Sequence, residues 1–256
     1  TLFRSVMTRP CALITGAGNG LGKAISGRLA ADGYAVALAD IDLDAARAAA
    51  DDAPAPAAAI GMDIRSPEQV SRGVVEAAAA LGGLNVLVNC AGIELVGPLL
   101  DTDDSALQKL FDINVFGTLR VSRAAVEYLA AGENAAIVNI SSAAGLNGSP
   151  FLAGYSMSKA AVLRMTEALA IELRPYGIRC NAICPALTGP TRMVEALTEP
   201  FTAMGVSLEQ ILAKQGGRMG RAAEVAALVT FLASSDAGLI NGAHYVIDGG
   251  LTASVL

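Results

Sequence analysis

Two side chains able to exchange and hold a proton, Tyr155 and Lys159, stand four apart in a stretch from Gly154 to Tyr176 that reads as helix. That spacing places both on one helix face. An ammonium beside a phenol favours the phenolate. A free tyrosine titrates near pH ~10, so bringing it to about 7 takes roughly 4 kcal/mol of preferential stabilisation of the anion. Lys159 and a cationic ring bound alongside could supply this together, making Tyr155 a usable base at neutral pH. Upstream, the apolar run Ala136–Ile140 ends in Ser141-Ser142, and strand C-termini are where sites form in open α/β sheets. Ser142 could donate its hydroxyl to a substrate oxygen, although both serines also read as ordinary turn residues.

A second constellation lies near the start of the chain. The run Cys11–Thr15 leads directly into Thr15-Gly16-Ala17-Gly18-Asn19-Gly20-Leu21-Gly22, and a helical pattern follows. Glycines let backbone approach a pyrophosphate, and a helix N-terminus offers unpaired N–H groups and the positive end of its dipole. The spacing is not GxGxxG, because Leu21 occupies the last glycine position. Asp40 closes the next apolar run, where a dinucleotide fold places the acid that accepts hydrogen bonds from the adenosine ribose. Its charge would repel a 2′-phosphate, and neither the glycine loop nor Ile41 supplies a compensating cation. NAD is therefore expected rather than NADP. Asp42 and Asp44 crowd the same corner, which leaves a turn reading of Asp40 alongside.

The elements that must position these groups alternate. Strand-like runs occur at Cys11–Thr15, Ala35–Ala39, Ala57–Met62, Val86–Asn89, Ala136–Ile140, Ile178–Ile183 and His244–Ile247. Most are apolar on both faces, as parallel strands covered by helices must be. Helical patterns lie at Leu21–Asp32, Leu43–Ala50, Pro67–Leu81, Ser105–Ala131, Gly154–Tyr176 and Ala222–Ala233. The alternation predicts one α/β domain over residues 1–256, a Rossmann-type doubly wound parallel sheet of about seven strands with helices on both faces. Thr188–Gly217, rich in Thr, Gly, Met and Pro, is expected to be a long substrate loop or lid.

Taken together, Thr15-Gly-Ala-Gly-Asn-Gly-Leu-Gly22, Asn89-Cys-Ala-Gly92, Asn114, Ser142 and Tyr155-Ser-Met-Ser-Lys159 resemble the classical short-chain dehydrogenase/reductase family over nearly the whole chain. Gly16, Gly20 and Gly22 meet that family's TGxxxGxG loop, and a serine thirteen residues before the tyrosine selects Ser142 over Ser141. The resemblance implies that Asn114 kinks its helix and holds a water in a proton relay through Lys159, which also binds ribose hydroxyls. It implies that Asp63 and Ile64 contact adenine and that Asn89, Ala91 and Gly92 line the adenosine side. Tyr245-Val-Ile-Asp248-Gly-Gly250 is similar to the family's last strand and turn.

Two departures stand out. The family's Asn-Asn-Ala-Gly reads Asn89-Cys90-Ala91-Gly92, and its Pro-Gly after the sixth strand reads Pro185-Ala186, followed by Leu187, Thr188 and a displaced Thr191. Pro185 is assigned to the nicotinamide end, and of the two threonines that follow, Thr188 is assigned to the carboxamide there with Thr191 as the alternative. Glu94, Ala144, Asn147, Phe151, Leu152 and Leu187 are the expected substrate-pocket lining.

Composition narrows the partners. Apolar residues make up 53% of 256 residues and charged residues 16%, which excludes a solvated disordered chain. The net charge of −6 and the lack of any basic run argue against nucleic acid or an anionic membrane. The uncharged stretch Asn134–Ser158 carries Asn139, Ser141, Ser142, Asn147, Gly148 and Pro150, too polar for a span. Residues 1–9 lack a signal peptide's apolar core, and Met7 makes a natural start, so residues 1–6 read as a tail and the protein as cytoplasmic. Four scattered cysteines and one histidine make no metal ligand set. The resemblance and the Ala-rich, low-charge composition predict a homotetramer, with the helices Ser105–Ala131 and Gly154–Tyr176 as contact faces. The expected activity is hydride transfer between NAD(H) and a secondary alcohol or ketone. A 3-oxoacyl-carrier-protein reductase is the rival within enzymes, and a non-catalytic NAD-sensing scaffold the rival outside them.

Overall fold

The structure, a computed structural model, describes residues 9–253; the tail reading of residues 1–6 lies outside that range. The strands are β1 (Cys11–Thr15), β2 (Ala35–Asp40), β3 (Ala57–Gly61), β4 (Val86–Asn89), β5 (Ala136–Ile140), β6 (Arg179–Pro185) and β7 (His244–Ile247). All pair in parallel, in the order β3-β2-β1-β4-β5-β6-β7. The order reverses between β1 and β4, and the crevice outside the carboxyl ends of those strands is where such sheets bind ligands.

The helices are α1 (Gly20–Ala31), α2 (Leu43–Asp51), α3 (Pro67–Leu81), α4 (Asp104–Phe111), α5 (Thr118–Ala131), α6 (Ala153–Glu172), α7 (Arg192–Ala203), α8 (Leu208–Lys214) and α9 (Ala222–Ala233). Strand pleat divides the core in two. Ile14, Val36, Leu38, Val86, Val88 and Val138 face Ile25 and Leu29 of α1 and Val225 and Val229 of α9. Leu13, Ala37, Leu87 and Ile137 face Val70 and Val74 of α3 and Val121, Ala125 and Leu129 of α5.

Three expected elements differ. The helix foreseen over Ser105–Ala131 is interrupted by a π turn at Asp112–Gly117, which contains Asn114, and π turns of this kind concentrate at functional sites. The helix foreseen over Gly154–Tyr176 ends at Glu172, and a separate 3₁₀ turn over Arg174–Tyr176 carries Pro175, which cannot continue the α-helical bonding. The foreseen loop Thr188–Gly217 holds α7 and α8. Thr191 caps α7 by accepting from the Val194 amide, and Ser207 caps α8 by accepting from the Gln210 amide. Pro200 inside α7 and Gly205 after it hid this helix pair in the sequence. Among the described residues no helix is long and apolar enough to cross a membrane.

Candidate active site

Along the carboxyl ends of the strands runs a cleft of about 930 Å³, a size ordinary for a ligand or cofactor site. Its outer end is built from the β1 exit. The Thr15 hydroxyl accepts from the Cys90 and Ala91 amides, binding the β1 and β4 exits together. Gly16 has φ +66°, and a Cβ there would lie 2.7 Å from the Ala91 Cα; a Cβ at Gly22 would run into the Gly16 carbonyl. Only glycines therefore allow this chain to turn so tightly into α1. Asn19 occupies the N-cap without a side-chain capping bond, and Asn19, Gly20, Leu21 and Gly22 all border the cleft. The first amides of α1 are thus open to an anion.

Asp40 and Ile41 border the same end. The Asp40 carboxylate accepts from the Gly18 amide at 2.9 Å and the Asp42 amide at 3.0 Å. A carboxylate has about four acceptor sites, so capacity for ribose hydroxyls remains. Ile41 is 66% exposed, an apolar surface at the mouth. Asp63 and Ile64 follow on the cleft wall, and so does Arg65, which sequence reasoning missed. Arg65 grips the Asp63 carboxylate through Nε and Nη2, the shortest contact 2.6 Å, and holds it below the usual carboxylate range.

At the inner end, successive residues leaving β5 diverge. Ser141 donates to the Lys159 carbonyl and is buried inside the fold, whereas Ser142 borders the cleft with Tyr155. The Ser142 hydroxyl accepts from the Ala144 amide and donates to the Pro185 carbonyl at 3.4 Å. Lys159 is 5% exposed and donates from Nζ to the Ile140 carbonyl at 3.0 Å, with Nζ 5.7 Å from the Tyr155 ring centroid. Burial pulls this ammonium down to about 8.

Burial also pushes the Tyr155 phenol up to about 12; hydrogen bonding with Ser142 opposes the rise, and the Glu94 and Cys90 charges add to it. The lowering expected from Lys159 together with a bound cationic ring is a separate matter: in the protein's own field burial sets the direction, and Lys159 Nζ donates to the Ile140 carbonyl.

Asn114 lies beneath this group. Its amide accepts from the Ile93 N–H and donates to the Ile93 carbonyl and to Ser158 Oγ. A Cβ on Gly92 would meet Asn114 Oδ1 at 3.1 Å and Lys159 Nζ at 3.4 Å. Ala91, Gly92, Glu94, Ala144, Asn147, Leu152, Pro185, Leu187 and Thr188 all border the cleft, as the sequence reading places them. Three assigned residues do not. Asn89 is buried, donating to Ser122 and Asn139. Asn114 supports the cleft from behind. Phe151 adopts φ +62° and offers its carbonyl to the Gly97 amide, so Leu152 lines the wall in its place. Thr188 donates to the Ala186 carbonyl, while Thr191 is engaged as the α7 cap; both border the cleft.

The roof was not foreseen. Val194, Leu197 and Phe201, spaced at one face of α7, are buried against the cleft, joined by Val206 and Ile211. Gln215, 4% exposed, ties this roof down. Its Nε2 donates to the Leu187 carbonyl at 2.7 Å and its Oε1 accepts from the Leu187 amide at 3.0 Å. The substituted Pro185-Ala186 turn is thereby held from both sides of the following residue. Asp248 accepts from Gly250, Thr252 N–H and Thr252 Oγ, folding the C-terminal turn so that Leu251 and Thr252 also border the cleft.

Comparison with known proteins agrees with this architecture. Residues 10–201 match the short chain dehydrogenase family. The chain is 34% identical over 243 residues to 2-(S)-hydroxypropyl-CoM dehydrogenase 3 of Xanthobacter autotrophicus, covering 94% of this chain and 95% of that protein. It is 33% identical over 252 residues to L-2,3-butanediol dehydrogenase of Corynebacterium glutamicum, covering 94% and 97%. Among solved structures, NAD⁺-bound xylitol dehydrogenase superposes with a TM-score of 0.90 at 31% identity, covering 96% of this chain and 100% of that one.

Proposed function

The chain belongs to the short-chain dehydrogenase family of oxidoreductases, and from that premise we propose that it transfers a hydride between NAD(H) and a secondary alcohol or ketone, with Tyr155 as acid/base. The observation that carries this reading is one continuous cleft with Gly20–Gly22 and Asp40 at one end and Ser142, Tyr155 and Lys159 at the other. The glycine turn and the open N-terminus of α1 fit a pyrophosphate, and Asp40 fits an unphosphorylated ribose. Ile41 and Ile64 fit an adenine face. The nicotinamide ring, when bound, supplies the hydride acceptor or donor and, oxidised, a positive charge that favours the phenolate.

The chain's own groups do the rest. Ser142 donates its hydroxyl to the substrate oxygen. Tyr155 gives that oxygen a proton in reduction and takes it back in oxidation. Lys159 binds ribose hydroxyls through the donors that Ile140 leaves free. Asn114 fixes the Gly92–Ile93 backbone beside Lys159, where a relay water would be held, and Thr188 faces the carboxamide.

Self-association as a homotetramer is supported by exposed apolar side chains: Phe116 and Met157, each 50% exposed, border one surface hollow, and Phe231, Val246 and Leu239 are exposed elsewhere on the chain. A cytoplasmic setting suits the free thiols of Cys11, Cys90, Cys180 and Cys184.

The decisive experiment is a panel of secondary alcohols assayed with NAD⁺ for wild type and Tyr155→Phe. Turnover should fall by about 10²-fold or more in the variant, with NADH affinity by fluorescence nearly intact. A Tyr155→Phe enzyme that keeps most of its kcat refutes the assignment.

A further inference from the structure

Glu94 is a half-buried carboxylate on the cleft wall that also holds Ser142 and Tyr155. The other cleft carboxylates already have partners: Asp40 accepts two backbone amides and Asp63 is gripped by Arg65. Glu94 has no hydrogen bond or ion pair among the described residues. Its backbone is nevertheless fixed on both sides. Asn114 binds both the N–H and the carbonyl of Ile93, and the Gly97 amide donates to the Phe151 carbonyl. The carboxylate is thus displayed into the cleft by an anchored segment, which is how recognition groups are preorganised.

Its presence works against the proposed chemistry. The Glu94 charge helps to push the Tyr155 phenol upward, so it hinders the formation of a base there. A function in binding substrate accounts for a charge that catalysis alone would disfavour. Resting on the function proposed above, we infer that Glu94 receives a hydrogen bond from a second hydroxyl beside the reacting carbon, so that the enzyme prefers vicinal diols and their hydroxyketones to simple alcohols.

The surroundings restrict the partner further. A carboxylate repels an anionic group at that position, which disfavours 2-hydroxy acids. Asn147 lines the same cleft, and its amide both donates and accepts. A hydroxyl can answer both functions, whereas an ammonium has no acceptor to offer. The carbon skeleton then lies against Leu152, Leu187, Leu197 and Phe201.

Matched six-membered rings test this: cyclohexane-1,2-diol, 2-aminocyclohexanol and cyclohexanol, each assayed with NAD⁺ for wild type, Glu94→Gln and Glu94→Ala. Wild type should favour the diol over cyclohexanol by about tenfold or more in kcat/KM. In Glu94→Ala that ratio should fall by about 10- to 100-fold, the range for one hydrogen bond to a charged group. Glu94→Gln, which keeps an acceptor without the charge, should fall between. Equal loss on both alcohols, no diol preference in wild type, or a preference for the amino alcohol would each overturn the inference alone. A wild type inactive on every alcohol would instead refute the oxidoreductase chemistry, and the inference with it.

Discussion

Replacing Lys159 by methionine should abolish turnover while removing a pH-dependent strain on the fold. The side chain is 5% exposed, and burial lowers its ammonium from 10.5 to about 8. At 1.36 kcal/mol per unit, holding that charge in the folded protein costs roughly 3 kcal/mol at pH 7. Methionine fills much the same space without a charge, but it leaves the Ile140 carbonyl without its 3.0 Å donor, a loss of about 1–3 kcal/mol. The two nearly cancel at neutral pH, so the pH slope is the decisive quantity.

A lysine whose folded pKa is depressed destabilises fully below about 8, where both states are protonated, and not at all above 10.5, where both are neutral. Between those limits the unfolded chain binds the extra proton, so stability rises with pH by about 1.4 kcal/mol per unit. Buried thiols raised above 9.0, Cys90, Cys180 and Cys184, pull the other way as the unfolded thiols ionise. They are present in both proteins, but Lys159 also lowers Cys90 and Cys184, so the difference between wild type and Lys159→Met reads the lysine together with its coupling to those two thiols. Tyr155, raised from 10.0 to about 12, destabilises only as pH climbs above 10. Urea unfolding of the cofactor-free protein from pH 7 to 10, at one protein concentration, reads the slope. Parallel wild-type and variant curves between pH 8 and 10 would refute the reasoning.

Two further outcomes follow from the same geometry. Asp40→Ala combined with Ile41→Arg should raise the NADP-to-NAD ratio of kcat/KM by about tenfold or more, because it replaces the charge facing the ribose with its opposite; a wild type that already prefers NADP would refute the reading of Asp40. Phe116→Arg, placed where a 50% exposed ring lies under the Arg120 guanidinium, should lower the mass of the proposed tetramer in light scattering, and an unaltered mass would remove that face from the proposal.

Much of the sheet was legible because its central strands are apolar on both faces, a pattern that survives without knowledge of their neighbours. The site was legible where its parts follow one another closely, as in the glycine turn or the Tyr155–Lys159 helix face. It was not legible where a contact joins distant segments. Gln215 stands between Lys214 and two glycines with nothing periodic around it, and its partner Leu187 lies 28 residues away. Arg65 and Asp63 are two apart in a loop, a spacing that carries no helical or strand signal. The choice between Ser141 and Ser142 turns on a local fact, that adjacent side chains leaving a strand point to opposite sides. Which side faces Tyr155 is decided only when α6 packs there and takes the Ser141 hydroxyl on the Lys159 carbonyl. The phenol shows the same limit in energy. Reasoning from spacing placed a cation beside Tyr155 and joined it to a bound cationic ring, but the sign of a pKa shift belongs to the largest contribution. In this fold that contribution is the burial of the ring, a property of packing that no pair of neighbouring residues records. In the protein's own field burial favours the protonated phenol, so the proposed turn of Tyr155 as a base draws on the positive nicotinamide of a cofactor whose pyrophosphate and ribose the glycine turn and Asp40 fit.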